Sequence, residues 1–376
     1  MYYYQKIGVK MTIEAAIIDK RSLILSSDLA MTTEEYKSYI GVKKIFEIKE
    51  NEPIGMMING AMEFENIPLE TLIGEFKTKI NIFESVEKVK DDFIKFLSHN
   101  TRHTSFEKYV SVILKSFKEK IMESIAENGF ENAINHASKD SIPDFVKNYS
   151  NFNEEFNELI PETYDRKKYN LKIWRIFSHE LNFEGSGIII AGFDKNSYYP
   201  SLFVFNIYCN DNGKLIFKEI ESRINCEEPL IRVYAMNEEA YSFLTGVNEE
   251  FKEYIRNFIN LTNSDLITNM EDYLKNERIA DSKKIINNLK RELNKYSIEL
   301  EQYITLYKNN MINYTSNCCE YMPRQLLCDL ADSLIKLTAL KQKLSYDLET
   351  VSSENDIAVI TKSENFKWAK YTNEIV

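Results

Sequence analysis

Short apolar runs separated by polar turns make up much of residues 12–60. Four strands are predicted in this part of the chain, at residues 12–18, 22–27, 42–48 and 54–58. The first two flank a polar turn that begins at Asp19, so they are predicted to form a β-hairpin. The dipeptide Asn59-Gly60 after the fourth strand is typical of a tight turn.

Strand-like runs return in the second half of the chain, after a long segment of different character. Further strands are predicted at residues 187–194, 201–207, 214–220, 231–236, 356–361 and 366–369. A helix is predicted from residue 67, with Pro68 in its first turn, and another at residues 324–344, where leucine recurs on one face. The chain is therefore predicted to combine sheets with covering helices.

Two charged segments lie between these strands and are predicted to be helical. In the first, residues 85–182, the run at 109–125 is expected to pack on a sheet and the remainder to form an added layer. The second segment, residues 248–313, carries a heptad seam at Ile286, Leu289, Leu293, Tyr296, Leu300, Tyr303 and Tyr307. This seam predicts an αα-hairpin arm with residues 250–261, packed either within the chain or against a neighbouring subunit.

Composition argues against several classes of function. The 376 residues carry a net charge of −11 and an isoelectric point near 5.2, which argues against nucleic-acid binding as the main role. No apolar run reaches the length of about eighteen residues that a membrane-spanning helix needs. The five cysteines lack a CxxC spacing with histidine partners, so we expect reduced thiols, no metal site, no cofactor and a cytoplasmic location.

Three polar residues stand at regular intervals on the predicted strands. Thr12, Asp28 and Lys44 are separated by sixteen residues in each case. With the strand pattern around them, they resemble the first half of a proteasome β-type subunit, including the bacterial proteasome-like peptidases, within the N-terminal nucleophile hydrolases. In that family a threonine begins the mature chain, an aspartate follows the second strand and a lysine lies on the third. The resemblance also gives Thr32 as a substrate-lining residue and Gly60 as the oxyanion glycine.

Hydrolytic chemistry explains why these residue types are needed together. A threonine hydroxyl is a weak nucleophile at neutral pH and needs a base, which the α-amine of the same residue, with an ordinary pKa of about 8, can provide. The nucleophile must then be N-terminal. A neighbouring Lys44 ammonium would favour the alkoxide, Asp28 would hold that lysine in place, and the amide N–H of Gly60 would face the oxyanion.

Eleven residues precede Thr12, and Met11 stands where the family has a glycine. Two routes would free the amine of Thr12: cleavage of residues 1–11 as a propeptide at the Met11–Thr12 bond, or initiation at Met11 followed by removal of that methionine. If neither occurs, the chain is a zymogen or an inactive relative. Residues 1–11 are too short and too polar for a signal peptide.

The resemblance implies a fold, an activity and partners. The fold is α+β, a four-layer αββα sandwich of two antiparallel sheets with two helical insertions. Its core would comprise residues 12–84, 183–247 and 314–376, interrupted by 85–182, which also contains a core helix, and by the arm at 248–313. The activity is threonine-type endopeptidase hydrolysis of peptides or proteins by a homo-oligomer, with an ATPase unfoldase as a further partner. No nucleic acid or membrane partner is expected.

Two alternatives stay open. One is a catalytically inactive scaffold or binding protein in which Thr12 is not exposed, and the other is a small-molecule amidase with the same nucleophile and a closed pocket. Two features depart from the family pattern: Ser352-Ser353 replaces a pair of glycines, and Asp347 is out of register for a supporting aspartate. Asp194 is assigned a structural role, because the resemblance places it in a hairpin turn.

Overall fold

The protein is an α+β structure built around two five-stranded antiparallel sheets. The computed structural model describes residues 12–32, 38–80, 83–134, 142–345 and 349–372. The first sheet has, in spatial order, β12 (Leu230–Ala235), β1 (Ile13–Ile18), β2 (Leu23–Asp28), β13 (Asn355–Thr361) and β14 (Asn365–Lys370). The second has β11 (Lys214–Arg223), β10 (Pro200–Asp211), β9 (Ser186–Phe193), β6 (Ile54–Gly60) and β5 (Ile45–Glu47).

Two small hairpins and several helices complete the described part of the chain. The hairpins pair β3 (Ala30–Thr32) with β4 (Ser38–Ile40), and β7 (Glu63–Phe64) with β8 (Ile67–Pro68). The helices are α1 (Leu69–Lys79), α2 (Val86–Asn100), α3 (Phe106–Asn128), α4 (Phe130–Ile134), α5 (Asp144–Lys147), α6 (Arg166–Glu184), α7 (Glu238–Thr245), α8 (Glu249–Asn276), α9 (Ser282–Cys319) and α10 (Arg324–Lys343). In these described residues, no helix has the length and apolar character that crossing a bilayer requires.

The predicted N-terminal hairpin is confirmed. Strands β1 and β2 pair antiparallel, with Ile18 opposite Leu23 beside the turn at Asp19. The carboxylate of Asp19 closes the turn by accepting the amide N–H groups of Arg21, at 3.0 Å, and Ser22, at 2.6 Å. Every residue of β1 and β2 is buried, as expected for strands that are covered on both faces.

Apolar clusters join the two sheets to each other and to the helices. One cluster contains Leu25 and Ala358 from the first sheet together with Met57 and Ile189 from the second. A second joins β9 and β10 to helices α1 and α2, and a third joins β1 to α7 and α10. Each sheet therefore contributes side chains both to a cluster shared with the other sheet and to clusters shared with helices.

Helix α2 packs beside α1 on the second sheet. The segment 109–125, predicted to pack on a sheet, also contacts this sheet, because the rings of Tyr109 and of Tyr208 on β10 lie 6.4 Å apart. Val89 and Phe93 of α2 are buried in the cluster with β9 and β10. Helix α3, which contains the predicted segment, belongs to a separate cluster with α6, where the rings of Phe117 and Phe177 lie 5.3 Å apart. Both helices are amphipathic, and periodicity alone does not show which partner an apolar face meets.

Helices α8 and α9 form an antiparallel pair that we call the arm. Asn248 caps α8 by accepting the amide N–H of Phe251 at 3.0 Å, and Arg256 binds Glu301 of α9 at 2.8 Å. The predicted αα-hairpin is therefore present, and it packs within the chain. The predicted seam is wrong in part: its aliphatic residues are buried or half-buried, whereas its tyrosines, Tyr296, Tyr303 and Tyr307, are exposed.

Candidate active site

The structure brings Thr12, Asp28 and Lys44 together at one end of the two sheets. Thr12 directly precedes β1, and Asp28 is the last residue of the neighbouring strand β2. Lys44 directly precedes β5 in the other sheet, where its carbonyl oxygen accepts the amide N–H of Ile58 at 3.0 Å. The three side chains thus reach a common point from two different sheets.

A short hydrogen-bonded network joins these three side chains. The hydroxyl of Thr12 lies 2.8 Å from Asp28 Oδ1, and the Lys44 ammonium donates to the same Oδ1 at 2.6 Å. Lys44 Nζ also donates to Thr12 Oγ1. Thr12 is 3% exposed, and Asp28 and Lys44 are 0% exposed. Lys44 is therefore a fully buried lysine that contacts both a carboxylate and a hydroxyl.

Backbone groups from three parts of the chain fix the Asp28 carboxylate. Its Oδ1 accepts the amide N–H of Ile13 at 3.1 Å, and its Oδ2 accepts those of Ala30 and Ser352, each at 3.1 Å. Ser352 binds Asp28 through its main-chain N–H, so this hydrogen bond does not depend on the Ser352 side chain. Asp28 is therefore held rigidly beside Lys44.

Sequence reasoning missed a fourth member of this cluster, Glu14. Its Oε1 accepts a hydrogen bond from the Thr12 hydroxyl and lies 3.8 Å from Lys44 Nζ, and the residue is 0% exposed. A signal was present in the sequence, because Glu14 is the one charged residue within residues 12–18 and stands two positions after Thr12. Residues two apart on a strand share a face. We call Thr12, Glu14, Asp28 and Lys44 the Thr12 cluster.

Burial around the Thr12 cluster also affects a neighbouring tyrosine. Tyr234 of β12 stands directly opposite Glu14 in the register of the first sheet. Burial raises the pKa of the Tyr234 hydroxyl well above its ordinary value of 10. At neutral pH the Tyr234 hydroxyl is therefore uncharged.

The other two predicted site residues are Gly60 and Thr32. Gly60 ends β6, two residues beyond the position opposite Lys44, which corresponds to roughly 7 Å along a strand. It makes none of the hydrogen bonds that join the Thr12 cluster among the described residues. Thr32 is the last residue of β3, and its side chain lies outside the described part of the structure. Met11 and Asp347 also lie outside the described residues.

Asp194 lies away from this network. Its Oδ1 accepts the amide N–H of Val86, the first residue of α2, at 2.7 Å. A carboxylate at a helix N-terminus satisfies an otherwise unpaired N–H and interacts favourably with the helix dipole. Asp194 thus holds the start of α2 against the turn that follows β9.

The Thr12 cluster has the groups that an activated hydroxyl needs. An ammonium donates to the hydroxyl oxygen, where it would stabilise developing negative charge, and carboxylates are present to accept the proton or fix the lysine. A buried charged cluster of this kind is costly to desolvate, and such clusters are concentrated at functional sites. The arrangement is suited to nucleophilic attack by Thr12 Oγ1.

Comparison with known proteins gives no independent indication of family. No protein-family model matches the chain, and no curated protein matches it. The functional interpretation therefore depends on the residues of the Thr12 cluster, their spacing and their geometry.

Proposed function

We propose that the protein is a threonine peptidase of the N-terminal nucleophile type, which hydrolyses peptide amide bonds once residues 1–11 have been removed and Thr12 carries a free amine. The observation that carries this proposal is the contact of a fully buried Lys44 ammonium with both Thr12 Oγ1 and Asp28 Oδ1. A lysine without such a task is seldom buried completely. The proposed substrates are peptides or proteins.

In the proposed reaction Thr12 Oγ1 attacks the carbonyl carbon of the scissile amide. The α-amine of Thr12 takes the hydroxyl proton and passes it to the leaving amine, which produces an ester on Thr12 that water then hydrolyses. Lys44 stabilises the negative charge that develops on Oγ1, and Asp28 keeps Lys44 in position. The amide N–H of Gly60 is proposed to stabilise the oxyanion.

The fold is proposed to be the four-layer αββα sandwich of this class, with the arm and the α3–α6 region as insertions. The apolar cluster shared by both sheets, and the separate clusters that each sheet shares with helices, support this arrangement. Assembly into a homo-oligomer and work with an ATPase unfoldase remain predictions from the resemblance, and a cytoplasmic location remains a prediction from the cysteine pattern. An inactive scaffold and a small-molecule amidase are the alternatives that the experiment below separates.

The decisive experiment uses a chain that begins at Thr12, released from a cleavable N-terminal fusion. This chain should hydrolyse fluorogenic peptides and should be labelled covalently by an epoxyketone or β-lactone probe. Thr12→Ala should abolish both, whereas Thr12→Ser should retain part of the activity because it keeps the hydroxyl. Absence of hydrolysis and labelling in a folded chain beginning at Thr12 would leave the scaffold alternative. Hydrolysis restricted to small amides would favour the amidase.

A further inference from the structure

We propose that Glu14 is the proton acceptor for the Thr12 hydroxyl while residue 11 is still attached, and that it makes the removal of residues 1–11 a self-catalysed reaction. This inference rests on the proposed function of Thr12 as a nucleophile. It assigns a catalytic role to a residue that has no part in the reaction of the mature chain outlined above. The contact between Glu14 Oε1 and Thr12 Oγ1 carries it.

The need for a second proton acceptor follows from the chemistry of the precursor. In the uncleaved chain the nitrogen of Thr12 belongs to a peptide bond, and an amide nitrogen has no basic lone pair. The α-amine that serves the mature chain is therefore absent when the Met11–Thr12 bond must be cut. Self-cleavage requires another group that contacts Thr12 Oγ1 and can take its proton.

Lys44 and Asp28 are poorly placed to act as this acceptor. A lysine ammonium has no lone pair, and Lys44 already donates to Thr12 Oγ1 and to Asp28. Asp28 Oδ1 also lies 2.8 Å from Thr12 Oγ1, but this oxygen already accepts from Lys44 and from the amide of Ile13. The other oxygen, Oδ2, accepts from the amides of Ala30 and Ser352. A hydroxyl has a single proton to donate.

Glu14 satisfies the geometric requirements. Its Oε1 accepts directly from Thr12 Oγ1, and the same oxygen lies 3.8 Å from the Lys44 ammonium. Its complete burial keeps bulk water from competing for the proton. Glu14 also follows Thr12 on the same strand β1, so pairing with β2 and β12 fixes its position relative to the hydroxyl.

In the proposed step, the Thr12 hydroxyl proton moves to Glu14 as Oγ1 forms a bond to the carbonyl carbon of Met11. The bond from that carbon to the Thr12 nitrogen then breaks, and Glu14 returns the proton to the leaving nitrogen, which becomes an amine. The resulting ester between Met11 and Thr12 is hydrolysed by water. The products are residues 1–11 with a free carboxylate and a chain that begins at Thr12 with its hydroxyl restored.

The test compares self-cleavage of the full chain in the wild type and in Glu14→Gln. Intact mass is followed over time in the purified proteins, at several concentrations to show that the rate is independent of concentration. Loss of a positioned general base should slow release of residues 1–11 by about 100-fold or more. The matched control is Glu180→Gln, the same change at a buried glutamate that pairs with Lys120 at 2.9 Å, and it should cleave at the wild-type rate.

Glu14→Asp provides a second test in case Glu14→Gln does not fold. Glu14→Asp keeps the negative charge but withdraws it by one methylene group, so it should cleave more slowly than the wild type and faster than Glu14→Gln. If thermal unfolding shows that Glu14→Gln does not fold, the rate of Glu14→Asp decides the matter. A wild-type rate in either folded variant, or a wild-type chain that never cleaves itself, would overturn the role of Glu14.

Chains released to begin at Thr12 separate this inference from the proposed function. With the α-amine present, Glu14→Gln should reduce peptide hydrolysis by a much smaller factor than it reduces self-cleavage. If both rates fall by the same factor, Glu14 does not act specifically in the precursor. If the wild-type chain that begins at Thr12 fails to hydrolyse peptides, the proposed function itself is wrong.

Discussion

The Thr12 cluster and the arm both contain ion pairs between a basic side chain and a carboxylate, yet these pairs have different surroundings. In the cluster, Lys44, Asp28 and Glu14 are completely buried and held by two sheets. In the arm, the side chains of Arg256 and Glu301 are 40% and 26% exposed and lie on the surface of two long helices. Ion pairs therefore occur both in the protein interior and at the solvent boundary.

This difference in burial changes what each ion pair costs the folded protein. Exposed pairs cost little to desolvate and contribute about 0.2–1 kcal/mol. Buried pairs cost far more, and apolar residues of the same size would often be as stable. The chain keeps three ionisable side chains in contact with one hydroxyl despite this cost, which supports the proposal that the charges serve catalysis at Thr12.

The largest effect is expected from removing the buried ammonium. Lys44→Met leaves two buried carboxylates without their partner, so the free energy of unfolding should fall by about 3 kcal/mol. Peptide hydrolysis by the chain that begins at Thr12 should fall by about 10²- to 10³-fold. Urea denaturation and steady-state kinetics measure the two effects. Lys290→Met, which removes a pair with Glu271 whose side chains are 49% and 50% exposed, should cost about 1 kcal/mol or less. Equal losses in the two variants would contradict the comparison.

A smaller effect is expected at Gly60, where the main chain is in the left-handed region with φ of +73°. In Gly60→Ala the new Cβ would lie 2.8 Å from the carbonyl oxygen of Gly185, so the variant should lose about 1–2 kcal/mol of stability. Hydrolysis should also fall if the Gly60 amide stabilises the oxyanion. Thermal unfolding and kinetics measure both.

The control for this substitution is a glycine in a helix. A Cβ added at Gly74 of α1 meets no atom within 4 Å, and alanine is the better helix former, so Gly74→Ala should stabilise the protein by up to about 1 kcal/mol. Wild-type stability together with wild-type hydrolysis in Gly60→Ala would remove Gly60 from the proposed mechanism.

A change of about 0.5 kcal/mol is expected in the arm. Arg256→Ala removes the 2.8 Å contact with Glu301, which lies near the surface and is screened by water. A double-mutant cycle with Glu301→Ala, measured by urea denaturation, isolates the pairwise contribution. Hydrolysis of peptides should not change, because the arm pair makes no contact with the Thr12 cluster. A coupling energy above about 2 kcal/mol between Arg256 and Glu301 would contradict the distinction between exposed pairs in the arm and buried pairs in the Thr12 cluster.

The smallest effect is the pH dependence of that pair. The hydrogen bond from Arg256 lowers the pKa of Glu301 below its ordinary value of 4.5. A carboxyl group with a lowered folded-state pKa stabilises the protein above pH 4.5, and this contribution is lost as the pH falls from 4.5 through the folded-state value. The stability difference between wild type and Arg256→Ala should therefore shrink below pH 4.5, as measured by denaturation at successive pH values. A difference that grows as the pH falls would have the wrong sign.

Local sequence patterns predicted the N-terminal hairpin, the arm and α10, because these elements depend on residues close together in the chain. The spacing of Thr12, Asp28 and Lys44 also singled out three side chains that the structure joins. The patterns did not reveal that β13, from the end of the chain, pairs with β2 and brings the Ser352 amide to Asp28. Pairing across more than three hundred residues is a tertiary property that no local period encodes.

Other errors came from assigning partners to amphipathic faces. Residues 109–125 contact β10, but their apolar face also packs on α6, a partner that periodicity did not indicate. The seam tyrosines of α9 match a heptad by spacing, yet their amphipathic rings are exposed. Glu14 was overlooked because it lies within an apolar strand. Because Glu14 is two residues after Thr12, the period of a strand predicts that both side chains lie on one face.

The most direct test of the central claim is the identity of the residue that an N-terminal nucleophile probe modifies. A purified sample is treated with a β-lactone or epoxyketone, and tandem mass spectrometry locates the adduct and the first residue of the labelled chain. We predict one adduct per chain, on Thr12, in a polypeptide that begins at Thr12. A folded chain that begins at Thr12 and stays unlabelled, or carries the adduct on another residue, would contradict the proposal.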